Sequence, residues 1–288
     1  MLALQRILAC LLLACGVLVA GACAAMWSAP AHAQGRLEAH YLATLAGIQI
    51  GKGTWVVEID NSHYSAATSG ITTGLMHVIT RGAGTSAVRG MLHAGKPTKS
   101  VYASTIVSRK KIDEVRLTID NGDVKNDRVD PTPNPDKDRV PVTPAERHGV
   151  LDPLTASLVR VPGDGDLLGP QACDRTLPIF DGRLRYDLQL AFKRMDKVKA
   201  KKGYAGPVVV CAVYFSPLGG YNPSHKTIKY IAKLRDMEIW LAPIAGTRVL
   251  VPFRAQGPTP IGQAVLQATQ FVSVPITNRA AADFDRLP

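Results

Sequence analysis

The sequence predicts a mainly all-β protein, an antiparallel sheet carrying one or two short helices. Three observations predict it. Val, Ile, Thr and Tyr recur in short runs broken by Gly, Pro, Asn and Asp, the composition of strands and turns. Apolar and polar residues alternate in the clearest run, where Val115, Leu117 and Ile119 interleave with Arg116, Thr118 and Asp120. Asn121-Gly122 and Asp181-Gly182 each lie between a pair of such runs, and both dipeptides tolerate the positive φ of a tight hairpin turn.

The elements follow in order. Residues 35–46 read as a first strand and 53–59 as a second, with 47–51 as a glycine-bounded bend inside one hairpin. Asp60-Asn61-Ser62 turns the chain into a strand over 63–72. Residues 85–92 and 99–108 flank a turn holding Gly95 and Pro97, and 114–120 returns through Asn121-Gly122 into 122–129. Residues 130–144 are the one proline-rich, low-complexity stretch. Prolines at that density cannot join a central sheet, so an exposed extended loop is expected, inside one domain because strand composition continues on both sides. The clearest helix spans 152–160: Asp152 caps it, Pro153 takes the first helical position, and Leu154, Leu158 and Val159 form its apolar set. Strands are expected over 175–180 and 183–192, the first at a sheet edge because of Pro178. Residues 207–216 are nearly all apolar, as suits a strand buried on both faces. Strands at 235–242 and 248–255 come next, then a short capped helix over 259–268 behind Thr259-Pro260, then a strand at 271–276. No repeat of fixed period is present.

The first residues predict an address. Arg6, the apolar run 7–25 and Ala31-His32-Ala33 have the order of a secretory signal peptide, residues 1–33, cleaved to leave Gln34 first. The Ala-His-Ala site argues against an uncleaved anchor. Ala20, where lipoprotein sites usually carry Leu, argues against lipidation at Cys23. The expected location is the periplasm, and the exported chain is 288 − 33 = 255 residues, a single domain over 34–288. Cys173 and Cys211 remain after cleavage. A disulfide between them would close a loop of about 37 residues, worth roughly 4 kcal/mol in the chain-entropy model. Two buried thiols or a metal pair are the alternatives.

Without Arg6 the exported chain has 33 basic and 23 acidic residues, a net charge of +10. In an exported protein that charge points away from nucleic acid, toward anionic lipid or cell-wall polymer, or toward solvation alone. Lys193, Arg194, Lys197, Lys199, Lys201 and Lys202 concentrate it in ten residues, either an anionic-surface contact or a solvated hairpin tip. The chemical motifs are weak. Among His40, His63, His77, His93, His148 and His225 no pair has metal-ligand spacing, so no metal is expected. No Gly-x-Ser-x-Gly elbow is present, and Gly82-Ala-Gly84 lacks the remaining glycine of a dinucleotide fingerprint. Phe180-Asp181-Gly182-Arg183 is the most tempting motif, and a plain hairpin turn accounts for it. No catalytic residue and no cofactor are expected.

The C-terminal half carries a recognisable string. It runs from Cys173 through Phe180-Asp181-Gly182-Arg183 to Leu188, then from Tyr204 to Tyr214, then Leu218-Gly219-Gly220-Tyr221. Arg235 to Pro243 and Arg248 to Arg254 follow, with Asp152 to Ala156 upstream. With Tyr41, Ala46-Gly47, Ile50-Gly51 and Tyr64 near the start, this resembles the exported bacterial family called domain of unknown function 3108, over most of 37–275. The resemblance implies a curved antiparallel sheet, a half-open β-barrel or β-spiral akin to periplasmic lipoprotein carriers and envelope-integrity proteins. It brings no assigned reaction. A half-open barrel leaves an apolar concave face, and Leu154, Leu158 and Val159 are candidates to plug it. The expected function is a non-catalytic envelope protein binding a lipid, lipoprotein or other hydrophobic ligand. The alternatives are a hydrolase of cell-wall material and a scaffold using the basic face.

Overall fold

The computed structural model describes residues 34–73, 82–109, 111–133 and 136–276. They form one open, mainly antiparallel sheet. Its first seven strands are a plain meander: β1 (Gly35–Leu45), β2 (Ile48–Ile59), β3 (His63–Thr72), β4 (Gly82–His93), β5 (Lys96–Ser108), β6 (Lys111–Asp120) and β7 (Asp123–Asp130). A 3-10 turn at Pro144–Arg147 and a single helical turn α1 (Pro153–Ala156) lead to β8 (Val159–Arg160). Then come β9 (Arg175–Phe180), β10 (Arg185–Lys199), β11 (Lys202–Gly203), β12 (Ala205–Gly219), the helix α2 (Lys226–Lys233), β13 (Glu238–Pro243), β14 (Val249–Thr259) and β15 (Gly262–Pro275). The order across the sheet is β7-β6-β5-β4-β3-β2-β1-β15-β14-β13-β12-β10-β9, with β8 and β11 as short additions on β14 and β15. Pro178 does lie in an edge strand, β9.

The sheet curves until its two edges face one inner core. Leu117 of β6 and Phe180 of β9 are buried in the same cluster, although they stand at opposite ends of the strand order. A strap closes the gap: Val150 N donates to Gly122 O (2.9 Å), and Leu151 exchanges hydrogen bonds with Pro178 O and Phe180 N (2.8 and 3.0 Å). Arg183, in the turn after β9, reaches back to Asp113 of β6 at 3.2 Å. A second core lies on the other face of β12–β14, where Val209, Cys211, Leu241 and Leu250 are covered by Val159, Val161, Ala172 and Cys173. Cys173 and Cys211 are bonded there, their Cα atoms 5.4 Å apart.

Four expectations need correction. The first turn is Ala46-Gly47, both at positive φ (49° and 81°), so β2 begins at Ile48 and, of the residues read as a bend, 48–51 are strand. Two consecutive positive φ values give a two-residue turn whose twist matches the strands, and Asn121-Gly122 uses the same geometry. The helix expected at 152–160 is one turn long, because Val159 and Arg160 pair with Leu250 and Val249 instead. The helix expected at 259–268 is a hairpin tip and the start of β15. Its backbone pairs with β14 on one side and β1 on the other, and two ladders outweigh a local capping signal. The solvated tip expected at Lys193–Lys202 is the end of the β10–β12 hairpin and its lysines are exposed, but the tip is docked on β15. β10 continues through it to Lys199, Ala200 is buried, and Lys201 N and Tyr204 N donate to Thr269 O and Phe271 O of β15. Helix α2 was not expected at all; it has no buried residue.

Candidate functional site

Opposed residues in an antiparallel pair share a face, so the register writes the inner surface as rows across the strands. One row, from β1 to β6, is Leu37, Val57, Ala66, Val88, Tyr102 and Leu117, and all six are buried. The next row toward the β1–β2 turn is Ala39, Trp55, Thr68, Ser86, Ser104 and Val115. After it come Tyr41, Gly53, Gly70, Gly84 and Ile106. The last row opposes Ala43 with Gly51, Gly51 with Thr72, and Gly82 with Ser108. Side chains thin out toward one end of the sheet, and five glycines stand on β2, β3 and β4, where the rows before them carry Val57, Trp55, Ala66, Thr68, Val88 and Ser86.

The result is an apolar cup of about 610 Å³. The glycines floor it; Tyr41, Trp55, Ile106, Leu154, Pro252 and Leu266 are among its walls. Its volume falls within the ~300–1,000 Å³ of small-molecule sites. Apart from Lys52 the lining is neutral. Tyr41 Oη donates to Pro252 O at 2.6 Å, and burial pushes its ionisation far up, so the phenol keeps its proton. Trp55 is buried and its Nε1 has no acceptor among the described residues.

Two of the floor glycines, Gly70 on β3 and Gly84 on β4, are open to substitution. A Cβ on Gly70 would approach nothing nearer than Lys52 O at 3.8 Å, and one on Gly84 nothing nearer than Ile106 and Thr105 at 3.7 Å. Gly53 differs, since a Cβ there would lie 2.6 Å from Ser69 O. Gly90, at the packed end, is required for another reason: the Tyr64 ring occupies the space its Cβ would take.

The turn α1 is latched over the packed rows. Asp152 is fully buried and accepts from Leu154 N (3.1 Å), Thr155 N (2.9 Å), Thr155 Oγ1 (2.6 Å) and Ser100 Oγ (2.9 Å). Thr155 Oγ1 donates to Asp152, so Tyr64 Oη must donate to Thr155, at 2.8 Å. Burial raises the Asp152 carboxyl above its usual range, against the opposing hydrogen bonds, and pushes Tyr64 up to about 12. The candidate plug residues separate. Leu154 borders the cup, Leu158 packs against the inner core, and Val159 belongs to the second core.

The basic residues do not gather at the cup. Lys193 and Arg194 converge on the Glu238 carboxylate, at 2.5 Å and at 2.9 and 3.1 Å. Hydrogen bonds from Arg194, helped by Lys193 and opposed by burial, hold that carboxyl down at about 2. Arg194 and Arg254 both lie over the Trp240 ring, and Asp196 accepts from its Nε1 at 2.8 Å. Lys197, Lys199, Lys201 and Lys202 are exposed beyond this cluster. Among the described residues no three His, Cys, Asp or Glu side chains come together as a metal site. His63 meets Asp60 (3.9 Å) and His148 meets Asp123 (2.8 Å) on exposed turns, away from the cup; His77 lies outside the described residues. The glycine floor was the feature missed from sequence. Its signal was present in Gly51-x-Gly53 and Gly82-x-Gly84, which at strand spacing strip one face of side chains.

No curated protein sequence matches the chain. Among solved structures, a beta-barrel-like protein of domain of unknown function DUF1849 from Brucella abortus is similar at 9% identity and a TM-score of 0.48, covering 85% of this chain and 98% of that one. The family described as "Protein of unknown function (DUF3108)" matches over residues 39–269. That match runs from β1 into β15 and takes in the cup floor, the strap and the disulfide: the chain belongs to the DUF3108 family.

Proposed function

We propose that this is an exported, non-catalytic protein of the periplasm that holds a lipid, the acyl portion of a lipoprotein, or another hydrophobic ligand in the glycine-floored cup. One observation carries the reading. Five glycines remove side chains from a face whose other rows are filled, and an apolar cup of about 610 Å³ stands where a continued core would have been. Gly within a strand weakens it and marks close approach of another group. The β2–β3 and β3–β4 ladders run through Gly51, Gly53, Gly70 and Gly84 without a register shift, so the glycines there serve the space and not a break in the sheet. The cell-wall hydrolase reading needs His with Asp or Glu in a cleft. The His–carboxylate contacts named above sit on exposed turns, which favours binding over chemistry.

Native mass spectrometry of the chain recovered after export tests this, with organic extraction of the bound material. The expected spectrum shows an N-terminus at Gln34, a two-hydrogen deficit for the disulfide, and a lipid-sized extra mass. Gly70→Leu, which fills the cup from an open floor position, should lose that mass while folding normally. A chain that arrives without cargo and takes up no fluorescent fatty acid would overturn the reading.

A further inference from the structure

The two ends of the β1–β7 meander differ in chemistry. At the packed end the turns are polar. Asp60 accepts from Ser62 N and His63 N (2.7 and 2.6 Å), and Asp120, Asn121 and Asp123 make the β6–β7 turn. At the cup end, segments 45–52, 71–73, 82–85, 105–114 and 258–266 carry four cations, Lys52, Arg109, Lys110 and Lys111, against two carboxylates, Asp113 and Glu114, and Asp113 is already paired with Lys111 and Arg183 at 3.2 Å each. Isoleucines occupy two adjoining tips there: Ile48 is 63% exposed and Ile261 70% exposed. Ala46 N donates to Gln263 O at 2.9 Å, tying the two turns together. Ile106 and Leu266 line the cup and are themselves exposed.

Apolar tips beside a net excess of cations are costly in water and favourable at an anionic lipid interface, where the tips enter and the cations stay among headgroups. We propose that this rim docks on an anionic phospholipid surface, seating Ile48 and Ile261 among the headgroups with the cup opening toward the acyl chains. The docking stands on the rim alone. That the leaflet exchanges lipid with the cup rests on the function proposed above.

Vesicle flotation separates the two. The probes are vesicles of phosphatidylglycerol and phosphatidylethanolamine with brominated acyl chains, against phosphatidylcholine vesicles. The exported chain should bind the anionic vesicles at least tenfold more tightly, and less so as salt rises. Ile48→Asp with Ile261→Asp should lower binding tenfold or more at an unchanged melting temperature, and Ile48→Leu with Ile261→Leu should restore it. Trp55 lines the cup, so bromine should quench its emission; Trp55→Phe leaves Trp240 as the control. Flotation without Trp55 quenching keeps the docking and sinks lipid entry into the cup. Failure to float overturns the docking even if soluble fatty acid fills the cup. A chain that stays off vesicles and dimerises until the Asp pair is introduced would make the rim a contact between copies, also against the proposal.

Discussion

The row Leu37-Val57-Ala66-Val88-Tyr102-Leu117 and the row Tyr41-Gly53-Gly70-Gly84-Ile106 cross the same strands a few residues apart. In the first every residue is buried; in the second three of five are glycine. Backbone pairing continues through both. The cup is therefore made by leaving out side chains on strands that stay paired, with one register shift between β1 and β2 beside Gly51, and its size is set residue by residue.

The comparison breaks most visibly at the packed end. Leu37→Ala should cost about 2–5 kcal/mol of stability, read by denaturant unfolding, because the emptied volume is enclosed by buried neighbours. Asp152→Ala comes next, at about 2–3 kcal/mol. It removes a helix cap and strands the buried Ser100 and Thr155 hydroxyls. The same residue gives a pH test. Its folded pKa is raised above the ordinary 3.8, so its contribution is fully present below that value and fades as pH rises through the folded pKa. Asp152→Asn should flatten that stretch of the pH–stability curve; an unchanged slope would refute the assignment. Gly90→Ala should cost about 1–3 kcal/mol, since the Tyr64 ring must move. Gly84→Ala, the same substitution on the same strand, should be neutral or stabilise by up to about 1 kcal/mol because its Cβ makes only ordinary contacts, at 3.7 Å. Equal losses at Gly84 and Gly90 would mean that the cup floor is packed after all.

The packed rows are legible in the sequence because alternation betrays them: Val115, Leu117 and Ile119 fall on one face by their spacing and lie in one core. The cup is illegible for the complementary reason. A glycine in a strand looks like a breaker, so 47–51 reads as a bend. Thr259-Pro260 misleads similarly, as local capping chemistry that the β1 and β14 ladders override. The basic run reads as a solvated tip because its charges alternate with Met195 and Val198 only weakly. Its backbone nonetheless runs on in β10 along β12, and only the pairing partner reveals that.

A sheet that closes through a strap, and not through hydrogen bonds between its first and last strands, keeps two outer edges. Each is spoiled as a template for another chain. β9 carries Pro178, which has no N–H to offer, and Leu151 already occupies the carbonyl there and the Phe180 N–H. β7 is studded with Lys125, Asp127, Arg128 and Asp130, charges that a stacking neighbour would have to strip of water. Both edges thereby work against edge-on growth into fibrils. Pro178→Val with Leu151→Pro, which removes the backbone N–H that Pro178 O accepts, is the pair of changes that should reopen one of them, and thioflavin fluorescence on prolonged incubation would reveal it.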